Sequence, residues 1–229
     1  MAIRRQLTYT AAVTVTAIAL MSAQASGTVV PLGGGWQAEI PDGFPASIDV
    51  GHAGLDYLQI WITAEFAEPP EPDDSFSPLK ISFEQILPDA DTAPEIKIDR
   101  QYITNQTGAA WTGYQWMILG GADVWVDAAR SSGMDVRPFT DMTFADSYGF
   151  VDPNQATDLV VDGGVVPNNT TFFPGAWGRG GGPFVISADL DGADPVEFTL
   201  EQVPIPEAAL TSALTLVAAL IGLRAGRRR

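Results

Sequence analysis

Apolar side chains recur at every second position from residue 57 to 66, and this period of two constrains the backbone more tightly than any other feature of the chain. Leu58, Ile60, Ile62, Ala64 and Phe66 fall on one side of an extended segment, and Tyr57, Gln59, Trp61, Thr63 and Glu65 on the other. A helix would scatter the same residues around its axis, so the segment reads as a half-buried strand. The alternation returns in Leu79, Ile81 and Phe83 against Lys80, Ser82 and Glu84, and in Val196, Phe198 and Leu200 against Glu197, Thr199 and Glu201. Pro183 to Leu190, Glu95 to Thr104 and Trp111 to Leu119 are further strand candidates, with weaker ones at Trp36 to Ile40 and Thr157 to Val161. No segment between residues 26 and 202 carries a helical stripe.

Turn-forming stretches punctuate these runs: Gly33-Gly34-Gly35, Glu68 to Asp74, Asp152-Pro153-Asn154, Asp162-Gly163-Gly164 and Gly178 to Pro183. Many short strands separated in this way predict an all-β domain over residues 26–202, an antiparallel β-sandwich of jelly-roll-like form. There is no internal repeat and no linker to divide it. Cysteine is absent, so neither disulfides nor thiolate metal sites contribute, and burial alone has to hold the domain together. About 180 residues allow one sizeable core.

Residues 26–206 hold 6 basic and 27 acidic residues, a net charge of 6 − 27 = −21. Such a charge repels nucleic acid and anionic lipid surfaces, which sets nucleic-acid binding aside.

The two ends read differently from the middle. Residues 1–25 follow the plan of a secretory signal peptide: Arg4 and Arg5, an apolar stretch from Ala11 to Met21, then Ala23-Gln24-Ala25 before Ser26. Small side chains at Ala23 and Ala25 suit the subsites of a signal peptidase, which places the cut before Ser26. The apolar stretch is shorter than the roughly 20 residues a permanent span requires. At the other end, 208–223 is an uncharged apolar segment, predicted as a short transmembrane helix, followed by Arg224, Arg227, Arg228 and Arg229 as a stop-transfer group. At about 1.5 Å per residue it reaches about 24 Å, short of a hydrocarbon core of about 30 Å, which suits a transient anchor.

Val203-Pro204-Ile205-Pro206-Glu207, the apolar segment and the arginines together resemble the PEP-CTERM tail of bacterial surface proteins, here with Ala208 in place of the motif's second proline. The resemblance covers residues 203–229. It implies an exosortase-type processing enzyme as partner, acting near the Pro-Glu motif, and delivery to the outer surface or an extracellular exopolysaccharide matrix after transient membrane anchoring. The alternative is an uncleaved tail anchor. Ile103-Thr104-Asn105-Gln106-Thr107-Gly108, followed by Trp111 and Tyr114, and later Asp158-Leu159-Val160 with Gly163-Gly164, resemble segments recurring in proteins with such tails. That likeness again implies a β-sandwich.

Residues able to carry chemistry are sparse. His52 is the only histidine, it is flanked by Gly51 and Gly54 in an expected turn, and no Gly-x-Ser-x-Gly elbow surrounds any serine, so no catalytic residue is assigned. A secreted glycosidase needs two carboxyl groups across a cleft, and among so many acids no pair stands out. Asp189, Asp191 and Asp194 form the best cluster for a calcium ion, but Asp194 stands where an EF-hand has its glycine, and a plain Asp-Gly turn explains the run. No other cofactor is expected. Tyr57 and Trp61 interrupt the polar side of the best strand, and Trp177 lies beside the glycine-rich loop. These three are the candidates for stacking on sugar rings, with burial as the competing explanation. Asn105-Gln106-Thr107 and Asn169-Thr170-Thr171 match the glycosylation acceptor pattern as chance matches would.

The expectation is therefore a non-enzymatic surface or matrix protein, structural or adhesive, with a carbohydrate-binding module as the alternative and a secreted glycosidase as the second.

Overall fold

The computed structural model describes residues 27–73, 75–176, 180–192 and 194–207. The expected signal segment with Ala23, Ala25 and Ser26, the tail helix over 208–223, the arginines from Arg224 to Arg229, and Trp177 lie outside the described residues. The chain runs through β1 (Gly27–Gly33), β2 (Trp36–Pro41), β3 (Ala46–Ala53), β4 (Leu58–Phe66) and β5 (Leu79–Gln85) to a 3-10 turn at Asp89–Asp91. It continues through β6 (Glu95–Asn105), β7 (Trp111–Leu119), β8 (Val124–Asp127), the four-residue helix α1 (Ala128–Ser131), β9 (Asp141–Ala145) and β10 (Gln155–Ala156). The last elements are β11 (Asp158–Asp162), β12 (Thr170–Phe172), β13 (Phe184–Ala188) and β14 (Glu197–Pro206).

These strands form two packed sheets, the β-sandwich that the alternation predicts. The first has the order β1-β2-β5-β14-β7-β11-β9 and the second β10-β8-β13-β6-β4-β3. In the second sheet β12 pairs with the C-terminal part of β6, and β13 with its N-terminal part. The predicted faces hold. Leu58, Ile60, Ile62, Ala64 and Phe66 are buried, as are Leu79, Ile81 and Phe83 and, across from them, Val196, Phe198 and Leu200.

One pair departs from the antiparallel expectation: β4 and β6 run parallel, Leu58 opposite Ile96 and Phe66 opposite Asn105. Between them in sequence comes β5, which lies in the other sheet, so the chain crosses over, returns along the first sheet and re-enters the second in its original direction.

The register of β4 on β6 slips between Ile60 and Trp61, whose partners are Ile98 and Arg100. Asp99 is the extra residue of a bulge, and the bulge changes the phase of the strand. Ile96 and Ile98 point inward before it, and Gln101, Ile103 and Asn105 after it. Gly175 closes on this bulge, bridging Arg100 on one side and Asp135 on the other. Its φ is +123°, and a Cβ there would lie 2.4 Å from the Asp99 carbonyl oxygen, so both conformation and space demand glycine.

The buried side chains form one hydrophobic cluster between the sheets. An aromatic row runs through it, from Phe76 and Phe66 against Trp111, through Tyr114 and Trp116, to Phe172 and Phe184, with ring centroids 4.7 to 6.4 Å apart. Edge-to-face and offset-stacked pairs add about 0.5–1.5 kcal/mol each beyond area burial. Two buried amides tie loops to this core. Asn105 donates from Nδ2 to the carbonyls of Ala109 (2.9 Å) and Val166 (3.1 Å), while its Oδ1 accepts from the Thr107 backbone N–H and hydroxyl. Gln85 Nε2 donates to Leu87 O and Asp89 Oδ1, and its Oε1 accepts the Val196 N–H.

Both ends of the described chain leave from the same pole. Gly27 pairs with Pro41, Leu79 with Gln202, and Pro206 with Trp111, and the turns 41–46, 66–79 and 105–111 lie at that pole as well. Phe44, Phe66, Phe76 and three prolines, Pro41, Pro45 and Pro78, line a cleft of about 430 Å³ there. The starts of β6 and β8 and the end of β13 lie at the opposite pole.

Candidate functional site

The sequence-predicted residues fall in three places. Tyr57 and Trp61 stand on the outer face of the second sheet, neither buried in the core nor fully open. Lys97 Nζ lies 3.5 Å from the centroid of the Tyr57 ring, and the Arg100 guanidinium 5.4 Å from that of Trp61. Each ring face thus carries a cation, an arrangement that adds about 0.5–1 kcal/mol at such a site. Gly51 on the neighbouring strand leaves room for the Trp61 indole: a Cβ there would come within 3.3 Å of it. The Trp61 Nε1 is buried and has no partner among the described residues. His52, expected in a turn, belongs to the bulged end of β3 and lies 4.7 Å from the Tyr57 ring, centroid to centroid. Phe172 enters the core, whereas Phe173 remains outside against Tyr102 at 5.7 Å.

The aspartates form the second group. Asp189 Oδ1 accepts the backbone N–H of Asp191 at 3.1 Å, the local bond of an Asx turn, and Asp191 and Asp194 are exposed. Among the described residues no three His, Cys, Asp or Glu side chains converge as a metal site.

The third group is the tail motif. Val203, Pro204 and Pro206 belong to β14, and only Glu207 stands beyond it, donating its backbone N–H to Ala110 O at 3.1 Å. That bond fixes the direction of the strand's donors. Val203, Ile205 and Glu207 point their N–H groups toward β7, so Pro204 and Pro206, two residues apart, place their missing N–H groups on the other edge. That edge is open, because β5 begins at Leu79 opposite Gln202. The prolines therefore cost no ladder bond.

The structure adds a site that the sequence did not single out. Along the outer face of the second sheet, Ser187 of β13 is opposite Trp125 of β8 on one side and Glu95 of β6 on the other. A serine between two large neighbours leaves a depression, and a cleft of about 410 Å³ opens over it. Trp125, Glu95, Arg130, Asp127, Asp152 and Asn154 are among its lining residues. Arg130 makes a fork-like double contact with Glu95, the Nη2 to Oε2 arm measuring 2.8 Å. Asp127 caps α1 by accepting the Arg130 backbone N–H at 3.0 Å, and Asp152 Oδ1 accepts from Asn154 Nδ2 at 3.0 Å. Hydrogen bonding to Arg130, then the charges of Arg130 and Lys97, outweighs desolvation and holds the Glu95 carboxyl below the usual glutamate range. Trp125 and Phe150 form an edge-to-face pair with centroids 6.4 Å apart, and among the described residues no cation lies over Trp125. Val124 to Asp127 does alternate, but over four residues only, too few for the pattern to stand out.

No protein-family model matches this chain, and comparison with curated proteins and with solved structures gives no match.

Proposed function

We propose that this chain is an exported, non-enzymatic protein of the bacterial cell surface or extracellular matrix, sorted by its tail and contributing structure and adhesion within an exopolysaccharide layer. The observation that carries the reading is the polarity of the sandwich. Both ends of the described chain leave from one pole, while Tyr57, Glu95, Lys97 and Trp125 on the outer face of the second sheet lie toward the other. Along β6, an 11-residue strand, Glu95 lies roughly 30 Å from the terminal pole. A domain tethered at its ends would turn this far half outward. The jelly-roll-like reading of the topology belongs here too, supported by a chain that changes sheet at nearly every connection.

Exosortase-type processing near Glu207 is compatible with the fold, because β14 ends at Pro206, one residue before Glu207. Glu95 does not suit the general-acid role of a glycosidase at the Trp125 cleft. A glycosidase acid needs a raised pKa, and Glu95, ion-paired to Arg130, is held ionised instead. Carbohydrate binding is the mode of adhesion that the face favours.

The test is a glycan-binding screen of the full chain, with and without calcium, beside a pull-down on exopolysaccharide from producing cells. Retention on that matrix is expected. Failure to bind either would remove the adhesive role.

A further inference from the structure

We propose that the cleft over Ser187 is a subsite for an uncharged hexopyranose unit of a polysaccharide, with Trp125 as its stacking platform. The inference rests on the adhesive reading above and deepens it by naming the site and the ligand class.

A pyranose ring presents two kinds of surface, apolar C–H faces and a rim of hydroxyls that both donate and accept. A complementary site therefore needs an aromatic plane and, within reach of it, fixed donors and acceptors. The cleft supplies both. Trp125 projects from a regular strand between the buried Val124 and Val126, which fix its backbone to the core. Around it the polar groups are held by one another rather than free to wander: Arg130 by Glu95, Asp127 by the first turn of α1, Asn154 by Asp152. Each retains further hydrogen-bonding capacity, since a carboxylate accepts about four bonds and a guanidinium donates five. Such pre-ordering lowers the entropy lost on binding.

Size and charge narrow the ligand. About 410 Å³ is at the small end of the range for ligand pockets, suited to one or two sugar units of a longer chain crossing the face. Glu95, Asp127 and Asp152 outnumber Arg130, and the body carries a large negative charge, so uronate, sulfated or phosphorylated glycans are repelled. Tyr57 and Trp61 are weaker platforms, because Lys97 and Arg100 each occupy one face of the ring.

The experiment measures binding of the full chain to cellohexaose, laminarihexaose, mannohexaose and polyguluronate by calorimetry, alongside the exopolysaccharide pull-down. Three variants are compared: Trp125→Ala, Ser187→Leu, which fills the depression and removes none of the surrounding groups, and Tyr57→Ala. Unchanged thermal midpoints exclude misfolding. At least one neutral hexasaccharide is expected to bind, with affinity falling about tenfold or more in Trp125→Ala and Ser187→Leu and changing little in Tyr57→Ala. Preference for polyguluronate, absence of binding to all three neutral sugars, or binding that survives both cleft variants overturns the inference. In each of these cases retention on the matrix keeps the adhesive reading, and its loss in the parent chain removes that reading too.

Discussion

Asn105 shows how one side chain comes to govern a loop. Its amide satisfies two carbonyls and two donors at once, all from the 105–109 loop and Val166, at a position with no solvent access. This accounts physically for Asn105 and Thr107 in the Asn-Gln-Thr-Gly stretch. It also means that the first glycosylation acceptor match is a buried core residue. Asn105→Ala strands those groups and is expected to cost about 3 kcal/mol in urea unfolding. Tyr114 and Gln202 test the opposite case. The buried Tyr114 hydroxyl donates to Gln202 Oε1 at 3.1 Å, while Gln202 Nε2 has no partner among the described residues. Gln202→Met alone strands the hydroxyl and should destabilise by about 1–3 kcal/mol, whereas the double variant with Tyr114→Phe, which removes both partners, should recover most of that loss. At the surface, Glu95 titrates below its ordinary value, so the stability it contributes is fully present above about pH 4.5 and is lost as the pH falls through its lowered folded value. The difference in urea midpoint between parent and Glu95→Gln, present at neutral pH, should close in acid.

At the scale of elements, the tail motif gives the sharpest contrast. Val203 directs its N–H to β7 and Pro204 has its ring nitrogen on the open edge. Val203→Pro should therefore break the β14–β7 ladder and cost about 3 kcal/mol, while Pro204→Ala, buried but missing no bond, should cost far less. Thermal unfolding of the two variants checks this. The same strand explains what the sequence made legible. Elements buried on one face through most of their length, β4, β5, β7 and β14, write that burial as a period of two. Edge and bulged elements do not. In β3 only Ile48 is buried, in β6 the Asp99 bulge reverses the phase midway, and β8 and β10 are too short to display a pattern. Tyr57 and Trp61 could be read as outward aromatics from alternation alone. Trp125 could not, because its significance comes from Ser187 and Glu95, which are far away in sequence and brought alongside by sheet pairing.

On the scale of the molecule, two sheets share one core, and their connections keep Gly27 and Glu207, the ends of the described chain, at one pole and the Trp125 cleft near the other. Charge acts at this scale as well: a body of net −21 resists collapse onto anionic matrix components. As proposed, the chain is exported, cut at the start of the sandwich and released or anchored from its terminal pole with β14 intact. Intact-mass analysis of the protein recovered from the surface of producing cells tests this most directly. A species that begins at Ser26, ends at or shortly after Glu207 and lacks the terminal arginines is expected; a cytosolic species that retains Met1, or a cut within Val203 to Pro206, overturns the export proposal.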